Sequence, residues 1–227
     1  NYFPHVSTME KISEAEREAI ISQAKAAVND EPIDWFDQLY GMADRDSAII
    51  PWARMSPNPI MMDWVEKNCQ IGKALIIGCG LGDDAIGLEN LGFSVTAFDI
   101  SKHCIDWCKE RFPNSNVNWL VGDILNPEQE WFKNFDLVVE IHILQAIPDG
   151  GIRERAAEQM PRLLNGNGQL LCIGRLDNGE QAIQPPPWPL QEDWLKRSFD
   201  MLTLTTFTEF IHQDSPNVTR YYAAWKR

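Results

Sequence analysis

Lys73–Ser101, KALIIGCGLGDDAIGLENLGFSVTAFDIS, decides how the rest of the chain is read. It opens on an apolar run, Ala74-Leu75-Ile76-Ile77, followed by a turn with glycine at 78, 80 and 82. Asp83 and Asp84 begin a segment whose apolar residues recur at helical spacing to Leu91, and Gly92 stops it. A second apolar run, Val95-Thr96-Ala97-Phe98, ends on Asp99. This is one strand–turn–helix–strand unit. A glycine turn at the carboxyl end of a strand brings bare backbone up to a ligand. The helix behind it points free N–H groups into the same space. Asp99 lies at the next strand tip, about 20 residues past the first glycine, where a carboxylate can accept both hydroxyls of a ribose. The unit predicts a nucleoside-cofactor site.

The glycine spacing narrows the cofactor. A dinucleotide turn needs G-x-G-x-x-G, its third glycine letting the helix pack close beneath a pyrophosphate. Here that third place is Asp83, and the pattern is G-x-G-x-G. A carboxylate at a helix N-terminus suits the helix dipole but repels a bound phosphate. Both features disfavour NAD and favour a cofactor without phosphates.

GCGLGDDA followed by VTAFDIS resembles the first two motifs of the class I S-adenosylmethionine (SAM)-dependent methyltransferases. The resemblance implies that Gly78, Cys79, Gly80 and Gly82 lie against the cofactor's amino-acid and ribose portions. It also implies that Asp99, with Ile100 beside it, holds the ribose hydroxyls. Many family members carry an acid two residues before the first glycine, where this chain has Ile76. Asn118–Val121 reads as a third strand, and the following Gly122-Asp123-Ile124 resembles the family's third motif. By that resemblance Asp123 accepts from the adenine amino group and Ile124 packs on the ring. FDLVVEIHILQAIP, residues 135–148, is a continuous apolar strand of the buried parallel kind with its tip, and resembles the fourth motif. Glu140 and His142 are its candidates for catalysis, as a base on an alcohol, phenol or thiol acceptor, with Glu140 also a candidate cofactor contact. The alternative is that Glu140 only contacts the cofactor and His142 only lines the pocket.

The resemblance covers about residues 70–227. It implies a three-layer α/β, Rossmann-like sandwich around a seven-stranded, mostly parallel sheet with one antiparallel strand near the C-terminus. Leu202–Ile211 and Val218–Trp225, joined by a short Ser215-Pro216-Asn217 turn, predict that reversed pair. Between strands four and five a helix is expected over 152–164, then a turn at Asn165-Gly166-Asn167-Gly168 and a strand from Gln169 to Ile173. Residues 1–70 are expected to form a helical lid, with a capping-box helix from Ser13 to Val28 and another over 58–68. Trp35, Tyr40, Trp52 and Arg54 are the lid candidates, because a ring face attracts a sulfonium and a guanidinium pairs with a carboxylate. The proline cluster 185–189 cannot be helix or central strand, and Trp188 is its candidate for the substrate rim.

The bulk properties set the limits. The 227 residues suffice for one α/β domain with an appendage, and the formal net charge is −13. Such acidity disfavours nucleic acid, whose binding is dominated by phosphate contacts. No apolar stretch is long enough to span a membrane, and no signal-peptide pattern opens the chain. The five cysteines, without a CxxC, read as buried thiols in a reducing, cytoplasmic compartment, with no metal. The expected activity is methyl transfer from SAM to a small-molecule acceptor. The segments PPPWPL and RYYAAWKR also resemble thiopurine, thiol and halide methyltransferase relatives, which points to a soft acceptor. The alternatives are a SAM-binding protein without catalysis, kept open by Ile76, and an NAD-dependent oxidoreductase.

Overall fold

In the computed structural model, residues 35–50, 53–179 and 187–227 are described. The helix expected over 13–28 lies outside them, as do Trp52 and the side chain of Trp35. The elements in order are α1 (Trp35–Ala43), α2 (Pro59–Asn68), β1 (Lys73–Ile77), α3 (Asp83–Asn90), β2 (Ser94–Asp99), α4 (Lys102–Arg111), β3 (Asn118–Val121), β4 (Phe135–Ile141), α5 (Gly151–Arg162), β5 (Leu164–Arg175), α6 (Glu192–Ser198), β6 (Thr203–Ile211) and β7 (Thr219–Lys226).

The seven strands form one sheet in the order β3-β2-β1-β4-β5-β7-β6. β1 pairs in parallel with β2 and β4, β2 with β3, and β4 with β5. β7 runs antiparallel to both of its neighbours, β5 and β6, and is the one reversed strand. Successive residues of β1 show why the sheet carries helices on both faces. Ala74 and Ile76 belong to one core cluster and Leu75 and Ile77 to the other. A strand with period-2 side chains that are apolar at every position must be covered twice. The first cluster takes residues from α1 to α4, the second from α5 and α6. The expected α/β three-layer architecture is thus present, as is its single antiparallel strand.

Two local expectations differ. Asn165-Gly166-Asn167-Gly168 does not interrupt the chain between helix and strand: β5 begins already at Leu164. The register slips there, Phe135 facing Leu164 while Leu137 faces Gln169, so the polar residues form a bulge inside a strand. Propensity alone does not distinguish such a bulge from a turn. The segment containing Tyr40, expected within the helical lid but without a helix of its own, is a helix. It is held to the start of α4, where Asp37 accepts from Ser101 Oγ at 2.6 Å and from the His103 N–H at 3.4 Å. Arg45 adds a two-pronged contact to Glu110, at 2.8 and 3.0 Å. α1 therefore lies over the carboxyl edge of the sheet, above β2 and α4. Among the described residues, no helix is long and apolar enough to cross a membrane.

Candidate active site

A cavity of about 470 Å³ opens at the carboxyl ends of the parallel strands, where an open α/β sheet places its ligands. The glycine turn after β1 forms its floor. Gly78, Gly80 and Gly82 have φ values of 61°, 53° and 95°, a region that side-chain-bearing residues rarely enter. The turn is pinned on both sides. The Gly80 N–H donates to Asp99 Oδ2 at 3.2 Å, while the Gly80 carbonyl accepts from the Cys104 and Cys108 thiols at 2.8 and 3.0 Å. The cysteine pair four residues apart on α4 thus has a structural task. All five cysteines are free, and no group of three or more potential ligands is placed to hold a metal among the described residues.

Asp99 is 7% exposed and lies at the tip of β2, where Oδ1 also accepts from the Ser101 N–H at 3.1 Å. Burial pushes its carboxyl up to about 6, with the hydrogen bonds from Ser101 and Gly80 opposing. Asp123, after β3, lines the cavity and accepts from the Leu125 N–H at 2.8 Å, with Ile124 buried beside it. Ile100 and Phe98 complete this side.

The N-terminus of α3 is already filled by carboxylates. Asp83 is clasped by Arg111 Nη1 and Nη2 at 2.7 and 3.1 Å. Asp84 accepts from the Asn58 N–H at 2.7 Å and is pushed up to about 6 by burial. A pyrophosphate would meet two acids there. Acceptors at two strand tips, bare turn backbone and apolar walls suit a phosphate-free nucleoside joined to an amino acid, as in SAM. Arg111, the partner that tames Asp83, was not singled out in the sequence. Its only signal was a basic residue ending the helix after Asp99.

On the other side of β1 the site changes character. His142, just past β4, has φ 64° and lines the cavity. Its N–H donates to the Ile173 carbonyl at 2.9 Å, and its Nδ1 is buried without a partner among the described residues. Burial pushes its pKa down to about 4. The Gln145 side chain opposes that shift, while Arg220, Arg175 and Arg54 reinforce it. The ring is therefore neutral over the physiological range. Glu140 is placed differently from the sequence reading. It is 1% exposed and absent from the cavity wall, and its Oε1 accepts from the Ile143 and Leu144 N–H groups at 2.8 and 2.9 Å. Its side chain turns under the loop that carries His142 and holds it; strand alternation alone would put residues 140 and 142 on one face, and the left-handed backbone at His142 breaks that pattern. Burial raises its pKa to about 7.

Of the lid candidates, Tyr40 and Arg54 line the cavity. Trp188 does not: it packs against the core, its N–H donating to the Gln145 carbonyl at 2.7 Å, and Pro187 takes the place on the wall. Phe36, Leu39, Gln145, Arg175 and Arg220 line the cavity too, and the sequence pattern assigned none of them a site role. The strand ends at 175 and 220 were visible as positions, but not that they meet.

A family model described as a methyltransferase domain matches residues 74–168. A probable thiol methyltransferase 2 of Arabidopsis thaliana is 28% identical over 133 residues, 56% of this chain and 58% of that protein. A thiocyanate methyltransferase 1 of Brassica oleracea is 25% identical over 131 residues, again 56% of this chain and 58% of that protein. The match thus spans little more than half the length of these relatives. Among solved structures, the N-methyltransferase NodS of Bradyrhizobium japonicum, in complex with S-adenosyl-L-homocysteine, superposes with a TM-score of 0.66 at 20% identity, over 84% of this chain and 99% of that one. TehB of Haemophilus influenzae gives 0.63 at 17% identity, over 86% and 67%. Residues 74–168 thus match a methyltransferase-domain model, and the sheet built around them has the fold of the solved methyltransferases it superposes on.

Proposed function

We propose that this chain binds SAM through Gly78, Cys79, Gly80, Gly82, Asp99, Ile100, Asp123 and Ile124, and passes its methyl group to a small-molecule acceptor by in-line displacement. One observation carries this reading: a single cavity joins a phosphate-averse nucleoside cradle over β1, β2 and β3 to a polar compartment over β4, β5 and β7. SAM, when bound, supplies a methyl carbon already activated by its sulfonium. The protein's remaining work is positioning. Asp99 and Asp123 orient the nucleoside by accepting hydrogen bonds. Tyr40, Phe36 and Leu39 on α1 exclude water from above. Glu140 holds the Ile143–Leu144 turn so that His142 faces the acceptor. His142 is neutral above pH 4 and, among the described residues of this wall, is the side chain able to take a proton from a thiol or hydroxyl. The likeness to a thiol methyltransferase favours a thiol as the acceptor class.

The test pairs calorimetry with S-adenosylhomocysteine and a methylation assay over thiols, phenols and amines, read by mass spectrometry. Tight binding without transfer to any acceptor would overturn the transfer step and leave a SAM-binding protein. Asparagine at 142 tolerates the left-handed backbone. His142→Asn is therefore expected to lower kcat about 100-fold or more, the range of a lost general base, while the affinity for S-adenosylhomocysteine stays within about threefold. An equal loss in both would make His142 a positioning residue.

A further inference from the structure

Arg175 and Arg220 are direct register partners on β5 and β7, at the cavity end of the sheet. Like charges facing each other across a strand pair destabilise it. In a chain with formal net charge −13, acidic partners would be easy to supply. Yet among the described residues neither guanidinium makes an ion pair, and Arg220 Nε is buried without any hydrogen-bond partner. Burial depresses the pKa of both, and Arg220 is further depressed by the charges of Arg175 and Arg54. Arg54 lines the same cavity. A fold keeps such a pair where a ligand of opposite charge completes it.

From this we propose that Arg175 and Arg220 form an oxyanion clamp for the acceptor: the methyl acceptor carries a carboxylate or phosphate group at a distance from its nucleophilic atom. This rests on the proposed function and adds the substrate class to it. The strand order separates the clamp from the cofactor cradle. The glycine turn is on β1, His142 on β4, and the arginines one and two strands further on. Strand spacing near 4.8 Å sets the clamp about 5–10 Å beyond His142. An acceptor that reaches both must be an organic acid several atoms long; a monatomic or triatomic ion cannot span the gap. The planar guanidinium fork favours an oxyanion for the same reason.

The experiment is calorimetry on the full chain saturated with S-adenosylhomocysteine, so that the cofactor's own carboxylate is already placed. The probes are 3-mercaptopropionate, succinate, inorganic phosphate, thiocyanate and the neutral propionamide, at constant ionic strength. The expected result is that a carboxylate or phosphate probe binds at least tenfold tighter than propionamide, the carboxylate and phosphate arms telling the two oxyanions apart. Arg175→Gln and Arg220→Gln should each cost that probe at least tenfold without changing propionamide, and Arg220→Lys should recover part of the loss. Ligand-free Arg220→Gln should melt higher than the parent, because the cross-strand repulsion is gone. Three outcomes overturn the clamp: oxyanions bind no tighter than the amide, thiocyanate alone binds tightly, or the substitutions weaken S-adenosylhomocysteine itself tenfold, which would give the arginines to the cofactor. If the parent chain does not bind S-adenosylhomocysteine at all, the proposed function fails. The same oxyanion titration on the free chain still reads the clamp.

Discussion

Replacing Asp99 by alanine is expected to raise the dissociation constant for S-adenosylhomocysteine about 30- to 1,000-fold, a loss of roughly 2–4 kcal/mol. In the proposed function the carboxylate is the charged acceptor for two ribose hydroxyls, and hydrogen bonds to a charged group are among the stronger ones. It also holds the glycine turn through the Gly80 N–H at 3.2 Å, so its removal frees part of the cradle as well. Calorimetry on the purified variant reads this directly, and an unchanged constant would reject the ribose role. The same group sets a pH dependence. Its carboxyl stands at about 6 in the fold, raised by burial from 3.8. Its contribution to folding stability is therefore fully present below the unfolded value and is lost as pH rises through about 6. Ligand affinity runs the other way, because the ribose needs the ionised form. Affinity for S-adenosylhomocysteine should be flat above about pH 6 and fall by up to tenfold per unit below it. In Asp99→Asn that slope should vanish.

The second large effect is expected from Gly82→Ala. Gly82 has φ 95° at the start of α3, and a Cβ there would stand 2.6 Å from Trp119 Cη2, 3.0 Å from its Cζ3 and 3.3 Å from Cys108 Sγ. Trp119 is buried and stacked on Phe112, with centroids 6.1 Å apart, so it has little freedom to yield. Left-handed strain of about 1–2 kcal/mol adds to overpacking of about 1–3 kcal/mol. For a chain of this size that lowers the melting temperature by roughly 5–15 °C. Calorimetric or circular-dichroism melting measures it, and a shift below about 2 °C would show that Trp119 moves aside freely. Gly78→Ala contrasts with it. There the Cβ would meet Ile143 Cδ1 at 2.2 Å, the far end of a flexible side chain, and the strain at φ 61° remains. Two glycines that look alike in the sequence thus answer to different neighbours: Gly82 to a rigid indole in the core, Gly78 to the loop that carries His142.

Residues close in sequence carried their own structural meaning. The alternation of apolar strand, glycine turn, helix and acid is a local pattern, because each piece is fixed by neighbours a few residues away. That made β1, α3, β2 and the places of Gly78, Gly80 and Asp99 legible, along with the phosphate-averse character of the site through Asp83. It made the reversed last strand legible as well, through the short turn before β7. What depended on long-range packing was decided only by the folded sheet. Arg111 reaches Asp83 from the far end of α4. The thiols of Cys104 and Cys108 close on the Gly80 carbonyl. Glu140 turns away from the cavity while His142, two residues on, enters it on a left-handed backbone. The pairing of Arg175 with Arg220 brings together charges 45 positions apart. A sequence states which groups are available. Strand register and helix docking set which of them face one another, because those contacts draw their energy from partners that local pattern does not name.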